Sequence, residues 1–475
     1  MFLSGKKAKI WLACGFMALG LFLPAICGAV DTPSNAHLGT FLANQSYGHS
    51  IQVERIDGVD YIASAWGKAP VVISSNGEFT SIYDDVDLSG KFNRLEEGLF
   101  QAGELRYQSY QYTFNRIPTL AGKNRVSKLF DLPYMMTPIG SEECQDWESD
   151  DKVSFDKETI EKLVRLSGET GNPYQYTTSL LIAKDGKLVV EEYLNGWDAN
   201  FPHTIQSISK SMTSLAVGAA IGEGLIENDQ QTLTELMPAY ASLLQGDKAK
   251  ITLAHMLMMG AGLKWDEWAI SYENPNNPRS KEMASLDPVT FVLDRELEAV
   301  PGDKFRYNGG LVTVVGSLLA QKAGVSNFAS YWRQSPLAAV CLTNAYMTIQ
   351  NRGVTNSAGG GLLRPRDMLK IGQLVAQDGV WQGKRLLPEG WIDRSTTPYL
   401  PAGNHDYGYY WWLDDAEVNG VHYDVVYALG FGGQMIAIVD ALNLVVVRTA
   451  TSFNSPTPNQ AMMQEYIIPA FTMQQ

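Results

Sequence analysis

A chain of 475 residues with 51 acidic against 37 basic side chains, for a net charge of −14, presents an acidic surface that argues against nucleic acid as a partner. Its length exceeds what one small core organises and predicts two or more substructures. Four cysteines without a C-x-x-C pair, and no H-E-x-x-H, exclude a disulfide scaffold and give no ground for a metal site or a cofactor.

At the start, Lys6, Lys7 and Lys9 precede an apolar run from Ile10 to Ile26, and Cys27-Gly28-Ala29 offers small residues for cleavage before Val30. Residues 1–29 are therefore expected to be a bacterial export signal, giving a periplasmic or secreted protein with no stable membrane span after cleavage. The alternative is an uncleaved anchor, because the run approaches the ~20 residues needed to span a bilayer. Pro24 and the small-residue tail favour cleavage, and the bulky Ile26 disfavours lipid attachment at Cys27. Cys144 and Cys341 remain, able to form one disulfide in an oxidising compartment, although nothing in the sequence shows that they meet.

Residues 30–150 read as a β-rich N-terminal region, either a small accessory domain or an extension of the second region. Ser50–Glu54, Tyr61–Ala65, Val71–Ser74 and Tyr107–Phe114 have the pattern of short strands between turns. Cys144 to Asp156 is acidic and polar and is expected to be a linker. From 151 to 475 the signals sharpen. Lys157–Leu166 has helical periodicity, and Thr178–Lys184 and Lys187–Tyr193 flank Asp185-Gly186, a strong two-residue hairpin signal. A mostly helical middle is predicted from Leu233 to about Gln377. Late strands are expected at Val421–Leu429, Met435–Val439 and Leu444–Arg448, and a terminal helix over Pro458–Met473. Strands early and late with helices between predict an α+β fold, an antiparallel sheet flanked by helices and joined to a helical subdomain.

One tetrapeptide carries chemistry. Ser207-Ile208-Ser209-Lys210 places a serine and a lysine three apart, on one face of a helix start, where the amine can take the hydroxyl proton and the positive helix end favours the resulting anion. The same S-x-x-K spacing occurs at Ser4–Lys7, Ser149–Lys152 and Ser154–Lys157. Only Ser207 opens a long apolar helix pattern through Met212, Leu215, Ala216 and Ala219, stopping at Gly222 and Gly224. A serine there is also a common helix cap. No G-x-S-x-G, P-loop or G-x-G-x-x-G occurs, and no local pattern selects any of His37, His49, His203, His255, His405 or His422 as a triad partner.

The segment from Ser207 to Ser214 resembles that of class C β-lactamase-related serine hydrolases, a family that includes D-alanyl-D-alanine carboxypeptidases, family VIII esterases and aminohexanoate-dimer hydrolases. Gly262-Leu263-Lys264-Trp265-Asp266-Glu267, Pro301-Gly302-Asp303-Lys304-Phe305-Arg306-Tyr307, Arg364 through Trp391, and Tyr407-Gly408-Tyr409-Tyr410-Trp411-Trp412 are similar to further shared stretches. The resemblance spans roughly residues 156–473 and implies a β-lactamase/penicillin-binding-protein-like fold with an extra N-terminal region. It implies Ser207, Lys210 and Tyr307 as catalytic residues, with Tyr307 preferred to Tyr272 of Tyr272-Glu273-Asn274. Gly309 stands where the family has an amide or hydroxyl side chain, and Asn308 is a pocket candidate. Ala428-Leu429-Gly430-Phe431-Gly432-Gly433-Gln434 takes the place of the family's K-T-G. That implies an oxyanion hole from the backbone N–H groups of Ser207 and Phe431, with Gly430, Gly432 and Gly433 at the pocket. Ala428 replaces the cation that anchors a substrate carboxylate. The expected activity is acyl transfer to water from a small ester or amide, with a lactamase, a carboxypeptidase or a non-catalytic cell-wall-binding protein as alternatives.

Overall fold

The computed structural model describes residues 35–472 except 44–49, 57, 65–66, 83–87, 108–109, 117–134, 142–143, 146, 148, 151, 196, 198, 200–201, 271, 273, 275, 286, 344, 351–352 and 453–454. The expected export signal with Cys27, the Ser4–Lys7 spacing and His49 lie outside the described residues. The chain divides into two compact units, Met1–Met135 and Met136–Gln475.

The first unit is a closed antiparallel barrel of β1 (Gly39–Ala43), β2 (Ser50–Ile56), β3 (Val59–Ser64), β4 (Gly67–Ile73), β5 (Glu78–Ser81), β6 (Leu88–Glu96), β7 (Leu99–Tyr107) and β8 (Tyr110–Arg116), each paired with its neighbour in sequence. β1 closes on β8 through Phe41 opposite Arg116. Phe92 lies at the centre, its ring 5.1–5.7 Å from those of Phe41, Phe79, Phe100 and Phe114. Gly90 and Gly103 make room for this packing, because a Cβ on either would stand 2.3 Å from the Phe79 ring or 2.2 Å from the Phe114 ring. An eight-stranded barrel is narrow enough for such side chains to fill. The alternation read as one strand over Tyr107–Phe114 is broken: Tyr107 ends β7 and Tyr110 starts β8, and the two are paired in the ladder.

The second unit holds β9 (Met135–Pro138), which pairs into its smaller sheet, the hairpin β10 (Thr177–Lys184) and β11 (Lys187–Tyr193), β12 (His203–Thr204), β13 (Tyr346–Ile349), β14 (Gly361–Leu363), the short pair β15 (Val380–Trp381) and β16 (Lys384–Arg385), and β17 (Leu400–Ala402), β18 (His405–Tyr407), β19 (Trp412–Val418), β20 (Val421–Gly430), β21 (Gln434–Val439) and β22 (Leu444–Ala450). The main antiparallel sheet runs β11-β10-β22-β21-β20-β19-β18-β17. Its central strands are buried on both faces, with period-two alternation between them. Leu180, Ile182, Met435, Ala437, Leu444 and Val446 pack with α1 (Lys157–Gly168) and the C-terminal helical stretch. Leu181, Ala183, Ile436, Ile438, Val445 and Val447 face the larger core around α2 (Ile208–Gly222). In the hairpin, Asp185 and Gly186 both have positive φ, 51° and 76°, as the tight turn between twisted strands requires.

The helical middle carries α3 (Leu233–Leu236), α4 (Leu253–Leu257), α5 (Pro278–Ala284), α6 (Pro288–Leu293), α7 (Gly309–Lys322), α8 (Phe328–Gln334) and α9 (Pro365–Ala376). It also contains β13 and β14, which join β12 and β9 in a small sheet that periodicity did not predict. The unit boundary precedes 150, and the stretch expected to be a linker is tied to the second unit. Cys144 forms a disulfide with Cys341, the Trp147 indole donates to the Arg366 carbonyl at 2.9 Å, and Ser149 bridges to Leu188. Those partners are distant in sequence, so local composition could not reveal them. No helix among the described residues is long and apolar enough to cross a membrane.

Candidate active site

Ser207 sits where the chain turns from β12 into α2. The preceding residue, Gln206, has φ 50°, a left-handed conformation uncommon outside glycine. Ser207 itself has φ −64° and makes no side-chain capping bond, which leaves its half-buried hydroxyl available for another partner. One turn on, Lys210 Nζ lies 3.0 Å from Ser207 Oγ and donates to the Ala358 carbonyl at 2.6 Å. α2 is buried on all sides from Ile208 to Ala220, so the amine is enclosed with it. Burial strips the Lys210 ammonium of water and brings its pKa down to about 7; Arg279 reinforces that shift, while Glu267 and Glu282 oppose it. By contrast, Lys152, Ser154 and Lys157 of the other described S-x-x-K spacings are exposed.

Tyr307 is the tyrosine that meets this pair: its ring centroid is 4.9 Å from Lys210 Nζ. Burial and the Glu267 carboxylate push the phenol well above its ordinary pKa, against the opposing influence of the Ser207 side chain. Trp268 stacks on Tyr307 at 4.7 Å and Trp412 at 5.9 Å. Tyr272 instead donates to Glu267 Oε1 at 3.0 Å. Glu267 is only 2% exposed and also accepts from the Trp265 indole at 2.6 Å and from the Gly309 N–H at 2.8 Å. Asn308 is buried, and its Oδ1 caps α7 by accepting from Leu311 N–H at 3.2 Å.

The turn between β20 and β21 carries the remaining candidates. A Cβ on Gly430 would stand 2.2 Å from the Ile205 carbonyl, so the turn's approach to the Ser207 segment needs glycine there. Gly432 and Gly433 have φ 85° and 93°, and Phe431 between them and Gly430 is 53% exposed. Ala428 is buried within β20 opposite Ile436. Trp268, Ile270, Tyr272 and Phe431 are all exposed, with Tyr272 and Phe431 rings 6.2 Å apart, which gives the site an aromatic rim. His203 is buried on β12 and stacks on Trp197 at 4.0 Å. Among the described residues no group of three or more His, Cys, Asp or Glu could hold a metal ion. A cavity of about 760 Å³ at the far end of α2, lined by Glu223, Ser335, Lys384 and Leu387, contains none of these groups.

Sequence reasoning had Trp265-Asp266-Glu267 in hand as a shared stretch but not as the hub behind Tyr307. Arg279 and Glu282, buried beside it, both stand on the short helix α5, which gave no sequence signal. The family model described as Beta-lactamase matches residues 175–466, within the second unit. The 6-aminohexanoate-dimer hydrolase of Paenarthrobacter ureafaciens is 23% identical over 301 residues, 58% of this chain and 72% of the relative. A Bacillus anthracis structure provisionally named as a 6-aminohexanoate-dimer hydrolase superposes with a TM-score of 0.57 at 18% identity, covering 71% of this chain and 90% of its own. A family VIII carboxylesterase structure gives 0.52 at 15%, covering 66% and 97%. Both structures share the fold.

Proposed function

We infer that this chain, which belongs to the Beta-lactamase family, is an exported serine hydrolase that cleaves a small ester or amide through an acyl-enzyme on Ser207. The observation that carries this reading is the buried Lys210 amine 3.0 Å from Ser207 Oγ, with a pKa of about 7 in place of the usual ~10.4. At neutral pH a large fraction is the free amine. It takes the Ser207 proton as Oγ bonds to the substrate carbonyl carbon, and the carbonyl becomes an oxyanion facing the backbone N–H groups of Ser207 and Phe431. Tyr307, kept protonated by burial, gives its proton to the leaving oxygen or nitrogen as the carbonyl–heteroatom bond breaks, and the Lys210 ammonium restores it. Water then attacks the acyl-enzyme, releases the acid and returns the proton to Ser207.

The curated relative is named for hydrolysis of the 6-aminohexanoate dimer, which supports amides as well as esters. The aromatic rim suits an apolar acyl or leaving group, and Ala428 offers no charge to a substrate carboxylate, so a penicillin adduct on Ser207 is not expected. The Cys144–Cys341 disulfide supports an oxidising compartment and hence export. A fluorophosphonate probe tests the reading: it is expected to add one phosphonyl group to Ser207 and to leave Ser207→Ala unlabelled. That variant should fold and lose about 10⁴-fold or more in ester turnover. Undiminished turnover in Ser207→Ala would sink the assignment.

A further inference from the structure

Behind Tyr307 lies a buried charge cluster. Arg279, 6% exposed on α5, pairs with the fully buried Glu282, bonds to Asn356 Oδ1, and donates to Thr313 Oγ1 at 3.2 Å. Its aliphatic stem passes close to Gly309, the first residue of α7. A Cβ on Gly309 would stand 2.9 Å from Arg279 Cδ, 3.0 Å from its Nε and 3.4 Å from Glu267 Oε2. Gly309 does not have positive φ, so its backbone does not need glycine. The missing side chain makes room for Arg279.

Ser207, the Ala358 carbonyl and Tyr307 touch Lys210, Arg279 bonds to Asn356 two residues before Ala358, and the charges of Glu267, Arg279 and Glu282 act on the amine. Two of these are carboxyl groups that favour the ammonium form, which cannot act as a base. Arg279 alone among them favours the free amine. We propose that Arg279 is a positioning residue: in the space left by Gly309, its guanidinium offsets Glu267 and Glu282 and so holds Lys210 as the free amine that takes the Ser207 proton. This rests on Ser207 as nucleophile and Lys210 as its base.

The test is the pH dependence of kcat/KM on a short-chain p-nitrophenyl ester, measured on the full chain. Because only unprotonated Lys210 acts, the wild-type rate is expected to rise through about pH 7 and level off above it. Arg279→Met should move that rise upward by about one pH unit or more, costing about fivefold or more at pH 7, with the rate recovering toward the wild-type plateau above pH 9. Glu282→Gln, which keeps Arg279, should move it downward by about half a unit or more. The double variant restores the balance of charge and should return the rise to near its wild-type position. A role confined to packing would lower the rate equally at all pH values and leave the rise in place, and that result in Arg279→Met overturns the proposal. Should Arg279→Met not fold, an unmoved rise in Glu282→Gln overturns it equally. Absence of fluorophosphonate labelling in the wild type would instead sink the Ser207 reading, so the two failures are distinguishable.

Discussion

In the barrel, Phe41, Phe79, Phe92, Phe100 and Phe114 meet ring to ring, and the charged Arg55 and Asp60 pair where both keep some contact with water. In the second unit, Lys210, Glu267, Arg279 and Glu282 are all buried together around a half-exposed serine. Apolar filling of a closed barrel serves stability, and the Gly90 and Gly103 contacts show how closely it is fitted. Burying four ionisable groups is costly in solvation, and an apolar replacement of such a cluster is often neutral or stabilising. The difference teaches where to look for chemistry in this molecule: in the unit that places charges where packing alone would put hydrocarbon.

The strongest way to break that comparison is Lys210→Met. An apolar side chain of similar length replaces the buried amine, so the unfolding midpoint of the second unit is expected to hold or rise. Ester turnover should fall by about 10²–10⁴-fold, the range of a lost general base. A variant that keeps turnover would place Lys210 with the packing residues and erase the contrast. Phe92→Ala asks the reverse of the barrel. Truncating the central ring is expected to cost the barrel about 3–5 kcal/mol in denaturant unfolding. Turnover per folded molecule should stay within about twofold of the wild type. Collapse of turnover while the barrel remains folded would make the first unit a participant in the reaction.

What was legible in the sequence was what local periodicity and turn chemistry encode. Asp185-Gly186 announced the β10–β11 hairpin, β20 to β22 appeared near their observed bounds, and the apolar pattern behind Ser207 separated it from the other S-x-x-K spacings. The lead Pro301 to Phe305 pointed to Tyr307, which the fold brings against Lys210. Features that depend on distant partners were hidden. β13 and β14 are only four and three residues long and acquire strand character from pairing with each other and with β12 and β9. The aromatic and polar alternation runs on from Tyr107, the end of β7, into β8 from Tyr110, so it could not mark where β7 ended. Arg279 lies 72 positions from Ser207 on a short helix, and the fold alone brings it into the space over Gly309.

The smallest expected effect separates backbone from side chain at the β20–β21 turn. Three contacts fix this turn without help from the Phe431 ring. Gly433 N–H donates to the Gly430 carbonyl at 3.2 Å, Gln434 exchanges bonds with Ala450 at 2.6 and 3.1 Å, and Arg448 reaches the Gly433 carbonyl at 3.4 Å. If residue 431 contributes its N–H to the oxyanion, Phe431→Ala retains the donor, and kcat should change by less than about threefold, against the 10²–10³ typical of a lost donor. The ring would then matter only at the rim beside Tyr272, where its removal should raise KM for aromatic esters more than for acetate esters. A kcat loss near 10² with KM unchanged would mean that the ring, and not the turn's own hydrogen bonds, holds the residue 431 N–H in place toward the oxyanion.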